Sequence, residues 1–371
     1  MIVGFDATTL VGRISGVGYY TKRLLEALTD GAAGDEGVEV VVLSNRPVPV
    51  TPRPPRLRIH EGGRFPVRSV WMQLSLPRIL RVVRPDVVHF TNYLAPVLSD
   101  VPYVVSIHDM TLSLIPQHHT FKKRLLTSTL VPTVARRARL VLAPSEATRR
   151  DVVRLLRIPP ERTRVIPYAP SPRFAPAAGG PDALEARHRV RPPYFLYVGT
   201  LEPRKNMAAA LRAFARVAAD LPEHRFVLVG QRGWNCEDVF AEASRPTLKD
   251  RVTFLDYVPE DDLPLLYTHA TALVYPSLYE GFGFPVVEAM ACGAPVLTSR
   301  SSSLAEIGEG AALLVDPRDE TEMAEGLRTL ATRAELREDL RRRGRARAAE
   351  FSWERTARET MAAYREAAGM S

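Results

Sequence analysis

Short runs of β-branched and other apolar residues recur along the chain, separated by stretches with helical spacing. The opening "MIVGFDATTL" reads as a first strand. "VEVVVLS", "PDVVHFTN", "PYVVSIHD", "ARLVLAPS" and "TRVIPY" follow, with "GYYTKRLLEALTD" and "KKRLLTSTLVPTVARRA" as helices between strands. Runs that are apolar throughout, rather than at every second position, belong to strands covered on both faces. The pattern therefore predicts an α/β fold with a buried parallel sheet and helices on either side.

Around residues 168–193 the alternation breaks into "YAPSPRFAPAAGGPDALEARHRVRPP", rich in Pro, Gly and Ala as interdomain linkers are. It then restarts with "YFLYVG", a helix from Met207 to about Ala219, "RFVLVG", "RVTFLD", "LPLLYTHA", "ALVYPS", a helix from Pro285, "APVLTS" and "AALLVD", before helices run to the end. No repeat of solenoid length appears. The expected organisation is two similar parallel-sheet domains, residues 1–170 and 171–350, with a terminal helix over 351–371. Open sheets of this kind bind ligands outside the carboxyl ends of their strands, so the expectation is a site in a cleft between the two.

A length of 371 residues agrees with two domains, and 46% hydrophobic with 25% charged residues is the balance of a folded globular chain. No stretch approaches the ~18 consecutive apolar residues of a membrane span, and the first residues lack the marks of a secretion signal, so the expected compartment is the cytoplasm. Cys236 and Cys292 lie in separate motifs without ligand-spaced partners, which points to neither a disulfide framework nor a zinc site. The net charge of +8 comes from scattered arginines. Its densest run, "LREDLRRRGRARAAEFSWE", keeps helical spacing and lacks interleaved stacking residues, so it reads as a solvated helix face rather than a nucleic-acid surface. The basic and apolar "FKKRLLTSTLVPTVARRARL" is an amphipathic helix covering the sheet, with peripheral contact to an anionic membrane as its second reading.

The most informative stretch is "YPSLYEGFGFPVVEAMACGAPV". Glu280, Gly281, Phe282, Gly283 and Phe284 form a loop, Pro285 suits a first helical turn, and Glu288 lies on the helix that follows. Glycines before a helix start let a ligand approach exposed N–H groups, which suits phosphate. Carboxylates repel phosphate but accept hydrogen bonds from sugar and ribose hydroxyls. Hydroxyls on both sides of a phosphate describe a nucleotide sugar.

Three further clusters sit where cleft residues belong. In "YVGTLEPRKNM", Gly199 turns the chain and Arg204 and Lys205 precede a helix, against the dipole preference but apt for a diphosphate. "LVGRISGVGYYTKRLL" places Gly16 and Gly18 just before a helix; Thr21 stands where a dinucleotide fingerprint has its third glycine, which argues against a dehydrogenase. "PYVVSIHDM" sets His108 and Asp109 at the carboxyl end of a buried strand.

Together these stretches resemble the retaining family 4 nucleotide-sugar glycosyltransferases, over nearly the whole chain. The most specific match is the family's pair of glutamates separated by seven residues, Glu280 and Glu288 in "EGFGFPVVE"; "GTLEPRKN", "SGVGYYTKRLL", "SIHDM", "LDYVPEDDLPLLY" and "FSWE" support it. The resemblance implies the GT-B fold, two Rossmann-like domains facing a central cleft, with "FSWERTARETMAAYREAA" crossing back onto the first. It implies that Glu288 holds the ribose, while Glu280 and the backbone of Gly281, Phe282, Gly283 and Phe284 face the transferred sugar. Arg204 and Lys205 would clamp the diphosphate, Val258 would lie beside the nucleobase, and Gly16, Gly18 and His108 would line the cleft from the first domain, His108 near the reacting carbon. Thr200 stands where many members carry an arginine, leaving Arg204 and Lys205 as the available cations.

The reaction implied is transfer of a hexose to a hydroxyl of a saccharide, lipid-linked or small-molecule acceptor, with retention and without metal or other cofactor. The wording of the motifs is most like that of mannosyltransferases building bacterial polysaccharides, which makes GDP-mannose the first donor to test. A nucleotide-sugar epimerase and a non-catalytic sugar-nucleotide-binding protein are the rival readings. Turnover without an acceptor would favour the epimerase, and binding without turnover the second.

Overall fold

The computed structural model describes residues 1–12, 14, 16–30, 37–49, 57–62, 65, 67–114 and 130–370. The chain divides into two units, Met1–Tyr168 with Ser352–Ser371, and Ala169–Phe351. Of the basic, apolar stretch 121–140, residues 121–129 lie outside the described residues.

The first unit holds seven strands: β1 Ile2–Asp6, β2 Glu39–Ser44, β3 Leu57–Glu61, β4 Val87–Phe90, β5 Tyr103–Ser106, β6 Leu140–Ala143 and β7 Thr163–Val165. Their order is β3-β2-β1-β4-β5-β6-β7, and every pairing is parallel. β4, β5 and β6 are buried at every residue, as their uniform apolar runs require. β3 has no counterpart among the expected strands: Arg58 and His60 are exposed between Leu57 and Ile59, the alternation of an edge strand with one wet face. Trp71, Leu76, Val88, Phe90, Val105 and Val141 belong to the core between sheet and helices.

The terminal helix Trp353–Ala368 belongs to this unit and packs on the helix Gly16–Thr29 and on β4 and β5. Ser352 caps it by accepting the Arg355 N–H, and Thr356 donates to the Pro167 carbonyl at 2.7 Å. Deeper in, a line of neutral groups ties helix to sheet: Tyr364 Oη to His89 Nδ1 at 2.6 Å, His89 Nε2 to Ser106 Oγ at 2.8 Å, and Ser106 Oγ to Tyr20 Oη at 2.9 Å.

The second unit has six strands, β8 Tyr194–Val198, β9 Arg225–Val229, β10 Val252–Leu255, β11 Ala272–Tyr275, β12 Val296–Ser299 and β13 Leu313–Val315, in the order β10-β9-β8-β11-β12-β13. All its pairings are parallel as well. Phe195, Phe214 and Phe226 meet at centroid distances of 5.7–6.2 Å in its core. The "LPLLYTHA" stretch is the helix Leu263–His269.

Both sheets follow the doubly wound pattern in which the first strand of the unit neighbours the fourth and connections leave in opposite directions. β1 beside β4, and β8 beside β11, are the switch points where a crevice opens at the carboxyl ends.

Candidate functional site

At the switch point of the second unit, two loops meet that are far apart in sequence. After β8 the chain turns at Gly199 (φ +149°), where it runs close to Gly230 (φ +142°); a Cβ on Gly230 would lie 1.9 Å from the Gly199 carbonyl oxygen. Only glycine tolerates that approach. The single turn Pro203–Lys205 follows, and Asn206, at φ 63°, donates from its amide to the Pro317 carbonyl at 2.6 Å before the helix Met207–Val217 begins.

After β11 the second loop runs from Pro276 to Gly283, whose φ of +115° starts the helix Phe284–Ala291 with Pro285 in its first turn. A side chain at Gly283 would strike Leu304, with Cδ2 2.7 Å from the added Cβ. The segment Ser299–Ser303 pins this loop: Ser303 Oγ lies 2.9 Å from the Glu280 carbonyl and 2.7 Å from that of Phe282, and the Glu280 N–H donates to Ser302 Oγ.

The two loops join through charge. Glu280 accepts from Arg204 Nη1 at 2.6 Å on one carboxylate oxygen and from Lys205 Nζ at 2.6 Å on the other. Arg204 also binds Glu202 at 2.6 Å and the Tyr279 carbonyl at 2.8 Å, and Lys205 reaches Tyr275 Oη at 2.5 Å. Burial alone would raise the Glu280 carboxyl, but the adjacent guanidinium and ammonium outweigh it and hold it at about 2. Burial lowers Lys205 against the pull of Glu280. The cluster is thus two cations and two carboxylates, nearly dry, beside a helix start.

Glu288 lies on the helix beyond this loop in a different setting. Among the described residues its carboxylate accepts one hydrogen bond, from Tyr267 Oη at 3.1 Å, and burial pushes the carboxyl up to about 8. Val258, Gly281 and Phe282 are buried in this unit, and Phe282 packs edge-on against Phe284 and Phe351.

The first unit holds the other expected residues. Gly16 and Gly18 lie inside the first turn of the helix Gly16–Thr29 rather than before it. Gly18 has a packing reason: an added Cβ would be 2.8 Å from the Thr9 carbonyl oxygen, whereas one at Gly16 would meet open space. His108 follows β5 at the carboxyl edge, and both its ring nitrogens are engaged, Nε2 donating to the Thr91 carbonyl and Nδ1 accepting from Tyr168 Oη, each at 2.7 Å. Burial lowers its pKa to about 4, so it is a neutral, oriented imidazole.

Several members of these clusters escaped the sequence reading. Glu202, Tyr275, Tyr267, Ser302 and Ser303 bind the charged or loop groups directly; the first two stand inside motifs already singled out, while the serines carry no local signal. In the first unit, buried Asp6 at the end of β1 accepts from Arg68 Nη2 at 3.2 Å. Among the described residues, no three His, Cys, Asp or Glu side chains converge as metal ligands, and Cys236 and Cys292 are buried free thiols.

Comparison with known proteins bears on the whole chain. Residues 14–169 match the family model described as Glycosyltransferase Family 4, and residues 184–347 match Glycosyl transferases group 1. The O-antigen chain mannosyltransferase B of Escherichia coli is 32% identical over 304 residues, 81% of this chain and 77% of that protein. In fold, the chain is similar to sucrose-phosphate synthase from Thermosynechococcus elongatus (TM-score 0.76, 22% identity, 98% of each chain) and to Anabaena HepE in complex with UDP and glucose (TM-score 0.74, 19% identity, 98% of each).

Proposed function

The chain belongs to the family 4 glycosyltransferases, and we propose that it moves a hexose, mannose from GDP-mannose in the first instance, to a hydroxyl of a saccharide, lipid-linked or small-molecule acceptor. The fold is GT-B in kind, with two Rossmann-like parallel sheets and the terminal helix on the first unit. The observation that carries the proposal is the single carboxylate of Glu280 held between Arg204 and Lys205 at a switch point.

Breaking the bond from the anomeric carbon to the donor phosphate leaves new negative charge on the diphosphate. Arg204, Lys205 and the N–H groups opening the helix Phe284–Ala291 are fixed where that charge can develop, and preorganised positive charge is the strongest means a dry site has of lowering such a barrier. In the free protein Glu280 keeps the two cations folded inward. When a diphosphate replaces it as their partner, its oxygens turn to the hydroxyls of the sugar, and Glu288 takes the ribose. The acceptor oxygen bonds to the anomeric carbon on the face the phosphate leaves, and its proton passes to a departing phosphate oxygen. Configuration is retained, and no metal takes part. His108, in the first unit, is neutral and oriented, and the proposed step needs no proton from it.

GDP-mannose labelled in the sugar, incubated with oligosaccharide and polyprenyl-linked acceptors, should release GDP and label the acceptor in the α-configuration, read by NMR. Thermal unfolding against a panel of nucleotides tests the donor separately, because a ligand at 100 times its Kd adds ~2.7 kcal/mol of stability. No shift with any nucleoside diphosphate or its sugars would overturn the reading. The expected compartment is the cytoplasm; among the described residues no helix is long and apolar enough to cross a membrane.

A further inference from the structure

The first unit carries a cavity of about 590 Å³ that the proposed reaction does not use. Ser99, Asp100, Tyr103, Arg137, Arg139 and Arg162 line it. These residues stand at the amino ends of β5, β6 and β7, three neighbouring parallel strands. His108 follows the other end of β5, and at ~3.3 Å per residue the strand alone separates the two by more than 10 Å. The cavity therefore lies at the opposite edge of the sheet from the switch point.

Its chemistry is lopsided, with three guanidinium groups and one carboxylate. Arg162 is pinned from below, its Nη2 donating to the carbonyls of Arg136, at 2.7 Å, and of Ala138. Arg137 and Arg139 are exposed, and among the described residues no hydrogen bond or ion pair engages either guanidinium or Asp100. Tyr103 forms the floor: its hydroxyl donates to the Val134 carbonyl at 2.8 Å, and its backbone carbonyl accepts the Arg139 N–H at 2.8 Å. Burial pushes the Tyr103 phenol up to about 12, against the opposing pull of the Arg137 and Arg162 charges. The neighbouring acid Asp86 is occupied by the Ile2 N–H at 2.6 Å. Arg149, Arg212 and Arg343 elsewhere on the chain pair with carboxylates, whereas the three guanidinium groups here outnumber the one acid beside them, which leaves net positive charge in a concavity for an external anion.

We propose that this cavity is a phosphate-binding site, with Arg137 and Arg139 closing on a phosphate oxyanion against the fixed guanidinium of Arg162. Its volume admits a phosphate together with the group it esterifies. Two of the most exposed large apolar side chains lie at the same edge. Leu98 (79% exposed) is two residues before Asp100, and Val82 (81% exposed) ends the helix that leads into β4, the neighbour of β5. A phosphate with apolar contacts beside it is the chemistry of an anionic phospholipid headgroup at a membrane surface, and a free phosphorylated metabolite shares the phosphate. The site does not depend on the reaction proposed above.

The test is calorimetric titration with inorganic phosphate, carried out with and without Arg137→Glu plus Arg139→Glu, so that whatever the second unit contributes is the same in both proteins and the difference belongs to the cavity. Both arginines are exposed, and far-UV circular dichroism checks that the fold survives. Phosphate affinity should fall at least tenfold, and an unchanged affinity, or no phosphate binding before the substitution, overturns the site. Co-sedimentation with vesicles of phosphatidylglycerol and phosphatidylcholine, against phosphatidylcholine alone, distinguishes the sources. Sedimentation with the anionic vesicles that falls at least tenfold in the double variant and several-fold in Leu98→Ser, with phosphate affinity kept in the latter, assigns the site to a lipid headgroup. Phosphate binding without vesicle binding supports the same site with a soluble ligand.

Discussion

The two units are built on the same sheet pattern, yet they bury polar groups in opposite ways. The first, apart from Asp6 paired with Arg68, buries neutral ones: Tyr364, His89, Ser106 and Tyr20 pass hydrogen bonds from the last helix to the first, and burial holds His89 at about 3 and His108 at about 4. The second buries charge, with Glu280 ionised between Arg204 and Lys205. A satisfied neutral network fixes geometry at little desolvation cost. A buried ion cluster recovers its desolvation cost poorly and is weak evidence for stability, so its place at a switch point speaks for use rather than support. The contrast teaches where to expect lost activity and where lost stability.

The largest effect should come from the charged side. Lys205→Ala and Glu280→Gln should each reduce kcat/KM for sugar transfer by a hundredfold or more, about 3 kcal/mol of transition-state stabilisation. Turnover within a few-fold of wild type would remove them from the site. Next comes Glu288, whose carboxyl is raised from the ordinary range to about 8. Its protonated form contributes stability that is fully present below the unfolded value and is lost as pH rises toward 8. Glu288→Gln does not titrate, so its stability relative to wild type should rise by about 3.5 kcal/mol between pH 5 and pH 8, as read from urea unfolding. The pH dependence of the donor KM near 8 should vanish with it.

On the neutral side, His89→Phe leaves Ser106 and Tyr364 without their partner and should cost about 1–2 kcal/mol at pH 7.5 while sparing the donor KM. Because the folded pKa of His89 is depressed, its contribution is present above about 6.5 and is lost as pH falls toward 3, so the gap between variant and wild type should narrow in acid. A donor KM that moved with His89 would break the division between the units. The smallest effect should be that of a chelator: in the proposed reaction Arg204 and Lys205 supply the positive charge, which predicts that EDTA changes the rate by less than about twofold.

Much of the fold was legible because buried parallel strands must be apolar at every position, and β4, β5, β6, β8 and β11 announce themselves that way. β3 did not, since an edge strand with one wet face spends alternate positions on Arg58 and His60. The helix containing Gly16 and Gly18 began earlier than its glycines suggested, because close packing against Thr9 suits glycine inside the turn. In the second unit, "GTLEPRKN" and "EGFGFPVVE" stood out as local exceptions to the apolar alternation, with cations in one and acids in the other. Ser302 and Ser303 did not, because their hold on the Glu280 loop is a contact between segments that carries no local pattern.

The sequence by itself determined the alternation of strands and helices, the glycines at the sharp turns and the residue types available for chemistry. Those follow from steric and solvation rules acting over a few neighbouring positions. Only the tertiary structure decided that β8 lies beside β11, and so that Arg204 meets a glutamate 76 positions away. It also separated two acids of one short motif, Glu280 to about 2 between two cations and Glu288 to about 8 beside a single phenol. Desolvation and Coulomb fields are sums over whatever the fold brings near, and no local stretch of chain contains that sum.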